Sequence, residues 1–286
     1  MHIAVLGMGR MGVALAGRLL ADGHRITIWN RTKGRAAQLE SRGASEAATV
    51  SEAVSGVDAV ITILSDDAAV RAVALDDLRA AITPDTPYID SSTISPALSA
   101  KLAETFGRRF VSMPIAGAPA AVNAGTATLL AGGEGATLDA LSPLLRSLSD
   151  SVRRYESPAL ALAAKVTGNY LLLAGVATLA EAFALGRAGG LDDTQLRELL
   201  DGAPVVSDAM RGRFQAILTA DTDGWWTTVL GAKDAGLAVD TAAAVGVELP
   251  LAERVRERFL AAADHDPHAD ISAVAALYQN RTTPPA

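Results

Sequence analysis

The chain has 286 residues, half of them hydrophobic and a fifth charged, with a formal net charge of −7 and no cysteine. That length suits one large domain or two ordinary ones of roughly 100–200 residues, and the composition is that of a globular protein with ample core material. The acidic balance argues against nucleic-acid partners. The lack of cysteine excludes disulfides, thiolate metal sites and a thiol nucleophile, and fits the reducing cytoplasm, where we expect the protein to reside.

In chain order, His2–Leu6 reads as a strand running straight into glycines, with none of the basic start or longer apolar run of a secretory leader. Arg10–Ala21 has helical spacing, with Met11, Leu15 and Leu19 on one side. Arg25–Trp29 reads as a second strand, ended by Asn30-Arg31-Thr32. Further strands are predicted at 59–64, 87–90, 110–115, 128–131 and Val152–Tyr155, and Ser95-Pro96 as a helix start. Fully apolar strands separated by helices imply a parallel, doubly wound sheet covered on both faces, here an α/β Rossmann domain over residues 1–157. The pattern changes at Ser157-Pro158. Residues 159–188 read as one long apolar helix ended by Gly189-Gly190, with later helices from about Thr194, Asp208, Thr227, Pro250 and Ile271. Residues 158–286 are therefore expected to be all helical, serving substrate binding and dimerisation, with a loose tail at 281–286. The uncharged stretch 166–180 has 15 residues, short of the ~20 that cross a bilayer, so it reads as a buried helix and no membrane partner is expected. So apolar a helix packs against a partner, and a homodimer or higher homo-oligomer is expected.

Gly7-Met8-Gly9-Arg10-Met11-Gly12 fits G-x-G-x-x-G between a strand and a helix. The first glycine permits a tight turn, the second lets backbone approach a pyrophosphate, and the third lets helix and strand pack closely. The helix N-terminus adds free N–H groups and a favourable dipole. At the end of the second strand, dinucleotide sites for NAD usually carry an acid that holds the ribose 2′-hydroxyl. Here stand neutral Asn30, then Arg31 and Thr32, with Lys33 and Arg35 nearby. A 2′-phosphate is attracted by that cluster, so the expected cofactor is NADP(H); a merely solvated basic turn is the alternative. Leu64 and Ser65, closing the strand at 59–64, are placed on the cofactor too.

Lys165 and Asn169 are four apart on the long helix and share a face. A lysine in such an apolar stretch is costly unless it is paired or lines a cavity. An ammonium within reach of a carbonyl oxygen could stabilise the charge left by hydride addition and donate the proton, with Asn169 holding the same oxygen or orienting the lysine. The competing reading is a lysine that extends to solvent beside a chance asparagine.

Four motifs in order make the chain, from Met1 to about Tyr278, resemble the β-hydroxyacid dehydrogenases, which include 3-hydroxyisobutyrate dehydrogenase and glyoxylate or succinic semialdehyde reductases. They are the glycine turn with Met11, Asp90-Ser91-Ser92-Thr93-Ile94-Ser95-Pro96, Lys165-Val166-Thr167-Gly168-Asn169, and Lys233-Asp234-Ala235-Gly236-Leu237-Ala238. The resemblance implies hydride transfer in a cleft between two domains. It implies Lys165 as general acid in reduction and base in oxidation, Asn169 positioning substrate, and Thr93 against the nicotinamide. It implies Lys233 on the cofactor side, steadied by Asp234, and Trp226 over the substrate pocket; Trp225 and Trp226 as plain core is the alternative.

The resemblance has one departure. Where the family's substrate loop reads D-A-P-V-S-G-G, this chain reads Ser112-Met113-Pro114-Ile115-Ala116-Gly117-Ala118. The serine that usually holds the substrate carboxylate is Ala116, and the second glycine is Ala118, leaving a backbone N–H at Gly117. A lost hydrogen bond to a charged group costs about 1.5–3 kcal/mol, so a less polar aldehyde, ketone or imine becomes a candidate substrate. Imine reductases are relatives, many with Asp or Tyr where this chain keeps Lys165, and a non-catalytic NADP(H)-binding regulator is the reading from another class. The segment from Asp264 to Asp270 contains acids and histidines but reads as a turn-rich loop rather than a metal site, with Asp270 and Ser272 capping the last helix.

Overall fold

The computed structural model describes residues 1–219 and 223–279; the tail at 281–286 lies outside them. Contacts divide the chain into two units, Met1–Lys165 and Val166–Ala286.

The first unit is built on one nine-stranded sheet: β1 (His2–Leu6), β2 (Arg25–Trp29), β3 (Ser45–Glu46), β4 (Ala59–Thr62), β5 (Tyr88–Asp90), β6 (Phe110–Ser112), β7 (Ile115–Ala116), β8 (Thr128–Gly132) and β9 (Val152–Tyr155). The strands are ordered β3-β2-β1-β4-β5-β6-β8-β7, with β9 on β8. Pairs from β3 through β6 are parallel, as predicted from the uninterrupted apolar strands. Ile3, Val5, Ile26, Ile28, Ile61, Ile89 and Val111 pack with Leu15 and Leu19 of the first helix into one apolar core.

Two differences from the expected strands have local causes. The strand expected at 110–115 is broken in two, since Pro114 has no N–H to contribute to a ladder. Beyond it the chain pairs antiparallel with β8, Ile115 opposite Leu129 and Ala116 opposite Thr128, so the sheet is not wholly parallel. The two residues of β3 are too few to show an alternation.

In the parallel part of the sheet, order reverses at β1, whose neighbours are β2 and β4. The glycine turn after β1, Asn30 after β2, Leu64 after β4 and Ser91–Thr93 after β5 therefore all lie at the carboxyl edge, where open α/β sheets bind ligands.

The helix Pro158–Ala188 spans 31 residues and contains the division between the units. By length and composition it could cross a membrane, a test that the shorter uncharged stretch alone did not meet. In the second unit its Leu173, Val176, Leu179, Ala180 and Phe183 are buried with Phe214, Val255, Phe259 and Ile271 in an apolar core. The next helix, Asp193–Asp201, begins in a capping box between Asp192 and Gln195. The helix expected from Asp208 is interrupted at Gly212, giving Asp208–Arg211 and Phe214–Thr219. Thr228–Ala243 and Pro250–His265 follow. Asp270 caps the short 3-10 turn Ile271–Ala275 through Ser272 N.

Candidate active site

In the first unit the glycine turn has the three spatial properties its spacing implies. Gly7 sits at φ +107°, and a Cβ there would lie 2.3 Å from the Ile63 carbonyl oxygen. A Cβ on Gly12 would lie 1.9 Å from the carbonyl oxygen of Gly7. At Gly9 a Cβ meets nothing within 4 Å. The outer glycines are thus required by the fold, while the middle one faces open space. Gly9 also begins the first helix with no side chain to cap it, which leaves first-turn N–H groups to a ligand's phosphates. The turn fits a dinucleotide pyrophosphate.

Asn30 is tied into this turn. Its Oδ1 accepts from Met8 N at 2.9 Å, and its Nδ2 donates to the Thr32 carbonyl at 2.9 Å. Arg31, Thr32, Lys33 and Arg35 are all exposed. Glu46 of β3, which sequence reasoning passed over, accepts from Gly34 N at 3.0 Å and so anchors the same basic turn.

At the ends of β4, β5 and β6, Thr62, Asp90 and Ser112 stand side by side in register. All three are buried. Asp90 Oδ1 accepts from Thr62 Oγ1 and Ser92 Oγ, each at 2.7 Å, and from Ser92 N at 3.3 Å. Burial pushes the Asp90 carboxyl up to about 6, against the pull of those hydroxyls. Leu64 N donates to Ser92 Oγ at 2.9 Å. Ser65 Oγ donates to Asp66, which caps the following helix. Thr93 is half-buried next to this network.

Lys165, also in the first unit, donates from Nζ to the Ile115 carbonyl at 2.7 Å. The lysine is thereby fixed to the loop that carries Ala116, Gly117 and Ala118. Ala116 is exposed and offers only a methyl group. Gly117 adopts φ +148°, and a Cβ there would approach Ala127 Cβ at 3.0 Å. Ala118 begins the helix Pro119–Ala124 without a capping side chain.

In the second unit Asn169 Nδ2 donates to Asp234 Oδ2 at 2.9 Å, and Lys233 Nζ lies 2.9 Å from Asp234 Oδ1. One buried carboxylate thus holds both an amide and an ammonium. Trp226 is buried in the apolar core, and Trp225 stacks on it with centroids 5.8 Å apart. Arg213, unnoticed in the sequence, is buried 3.5 Å from Asp270. Asp266 Oδ1 accepts from His268 N and Ala269 N, as a turn-forming aspartate does. Among the described residues no three His, Asp or Glu side chains gather as a metal set.

Two family models together match nearly the whole chain. The NAD-binding domain of 6-phosphogluconate dehydrogenase covers residues 2–156, and the NAD-binding model of NADP-dependent 3-hydroxyisobutyrate dehydrogenase covers residues 160–278. The uncharacterized oxidoreductase YfjR of Bacillus subtilis is 34% identical over 268 residues, covering 91% of this chain and 93% of its own. The chain belongs to the β-hydroxyacid dehydrogenase family. A family relative with a stated activity, the NAD-dependent L-serine dehydrogenase of Pseudomonas aeruginosa, is 32% identical over 87% of this chain and 88% of its own. The structure of Mycobacterium tuberculosis 3-hydroxyisobutyrate dehydrogenase with L-serine superposes with a TM-score of 0.86 at 28% identity, covering 97% of this chain and 99% of that one. As a β-hydroxyacid dehydrogenase-type protein, the chain is a nicotinamide-dependent oxidoreductase with a Rossmann domain followed by a helical domain.

Proposed function

We propose that this protein is an NADP(H)-dependent oxidoreductase acting on a small carbonyl or 3-hydroxy compound, with Lys165 as general acid and base. The observation that carries the reading is the 2.7 Å hydrogen bond from Lys165 Nζ to the Ile115 carbonyl. It orients a proton donor at the loop where relatives bind substrate. When bound along the glycine turn and the strand ends, a nicotinamide cofactor would supply or accept the hydride. Lys165 delivers a proton to the substrate oxygen in reduction and removes it in oxidation. Asn169, its amide held by Asp234, positions the substrate, while Thr93 and Lys233 serve the cofactor.

The cofactor preference rests on the end of β2. Neutral Asn30 keeps an acid away from the ribose, and exposed Arg31, Lys33 and Arg35 suit a 2′-phosphate. The substrate preference rests on Ala116. Without a hydroxyl at this position a carboxylate loses one charged hydrogen bond, about 1.5–3 kcal/mol, so an uncharged aldehyde or ketone is favoured over a hydroxy acid. The same feature favours, as a second reading, reduction of an imine.

The test is oxidation of NADPH, with NADH alongside, against small aldehydes, keto acids and cyclic imines. Turnover should prefer NADPH, and Lys165→Ala should lower kcat about 10²–10⁴-fold. Tight NADPH binding without turnover on any of these substrates would favour a nucleotide-binding regulator instead.

A further inference from the structure

Asp90 takes no part in the chemistry proposed above, yet it is a completely buried carboxylate at the carboxyl edge of the sheet. The hydrogen bonds around it have a fixed direction. Thr62 Oγ1 donates its proton to Asp90 Oδ1, so the 2.9 Å contact between Tyr88 and Thr62 requires the phenol to donate. Ser92 Oγ likewise gives its proton to Asp90, which leaves its lone pair for Leu64 N–H. Two chains of donors, Tyr88 through Thr62 and Leu64 through Ser92, therefore converge on one oxygen. Leu64 in turn packs against the glycine turn, for a Cβ on Gly7 would fall 2.8 Å from Leu64 Cδ2. Asp90 Oδ2 finds no protein partner among the described residues, so the carboxylate is not there to complete a salt bridge.

A buried carboxylate without a cation beside it costs stability. What this one contributes is geometry. We propose that Asp90 is a positioning residue for the nicotinamide end of the cofactor site: it draws the exits of β4 and β5 together through Ser92, and so fixes Leu64 against Gly7 and sets the course of the chain at Thr93. The inference rests on the NADP(H) reading given above. It concerns the strand exits after β4 and β5, and leaves the adenosine end, after β2, independent of Asp90.

That division provides the test. Dissociation constants of the full chain are measured for NADPH and for adenosine 2′-monophosphate, which carries the adenosine end of the cofactor but no 5′-phosphate for the glycine turn, together with Tm. Asp90→Leu removes the acceptor while keeping the branched shape, Ser92→Ala cuts the link to Leu64, and Asp90→Asn retains an oxygen acceptor. Asp90→Leu and Ser92→Ala should weaken NADPH binding about tenfold or more, the effect of one or two lost interactions, and leave the monophosphate within about twofold. Asp90→Asn should remain within about threefold of wild type for both. If Asp90→Leu does not fold, the contrast between Ser92→Ala and Asp90→Asn carries the test alone. NADPH affinity unchanged in Ser92→Ala, or equal losses for both ligands, overturns the inference. Failure of the wild-type chain to bind either ligand would instead remove the NADP(H) reading on which it rests.

Discussion

Asp90 also makes a prediction about stability. Its carboxyl titrates at about 6 in the folded chain, above the ordinary carboxylate value near 4. A raised value means that the folded state holds the proton more tightly than the unfolded state does. Stability contributed by the neutral form is therefore present below about pH 4 and is lost as pH rises to about 6. Above that the folded chain carries a buried charge that costs about 3 kcal/mol. Tyr88 and Asp67 are the neighbouring groups that enter this balance. Asp90→Asn should gain stability relative to wild type across the same interval and stay ahead at neutral pH; denaturant unfolding at several pH values measures it, and a constant difference refutes it. At the substrate loop, Ala116→Ser should improve kcat/KM for a 3-hydroxy acid by about tenfold or more, the worth of one charged hydrogen bond, while leaving an uncharged aldehyde unaffected.

The glycine turn shows at the level of an element how one motif serves two purposes. Gly12→Ala forces a Cβ to within 1.9 Å of the Gly7 carbonyl oxygen, and overpacking of this kind costs about 1–3 kcal/mol or more. Gly9→Ala meets nothing. The first variant should lower Tm by several degrees, about 2–4 °C per kcal/mol in a chain of this size. The second should keep Tm and lose NADPH affinity; a Gly9→Ala variant that binds NADPH normally would show that the turn does not hold the pyrophosphate. This motif was legible in the sequence because its parts are adjacent and its glycines have no other reason to fall at that spacing. The long helix was legible for the same reason, as a sustained apolar pattern. The pairings around Asp90 and Glu46 were not. Asp90 closes an apolar strand and reads as strand end, and its partners Thr62 and Tyr88 become neighbours only once β4 lies beside β5. Glu46 belongs to a strand of two residues. The break at Pro114 was foreseeable from a proline inside a run read as strand, whereas the antiparallel return of β7 onto β8 depends on sheet order.

For the whole molecule, the unpolar face of the long helix bears on assembly. Leu171, Thr178 and Leu185 are exposed and spaced by heptads, so they line one stripe of the helix, with Leu171 and Leu185 retaining 73% and 76% of their accessible surface. Burying a leucine side chain is worth about 1.5–3 kcal/mol, which favours association of copies through this stripe. A solution mass of two or more chains is expected, falling to one in Leu171→Glu/Leu185→Glu; a wild-type monomer would exclude it.

The double hold of Asn30 sets a limit on how cofactor choice can be re-engineered. Its amide accepts from the glycine turn and donates to the Thr32 carbonyl at once, and an aspartate can reproduce only the first of these. Installing the acid typical of NAD binders at this position therefore sets a carboxylate against a carbonyl oxygen and slackens the turn meant to grip the pyrophosphate. On the NADP(H) reading proposed above, an NADH-dependent variant is better sought by leaving residue 30 alone and redrawing the exposed side chains at 31, 33 and 35, which make no such contact with the glycine turn.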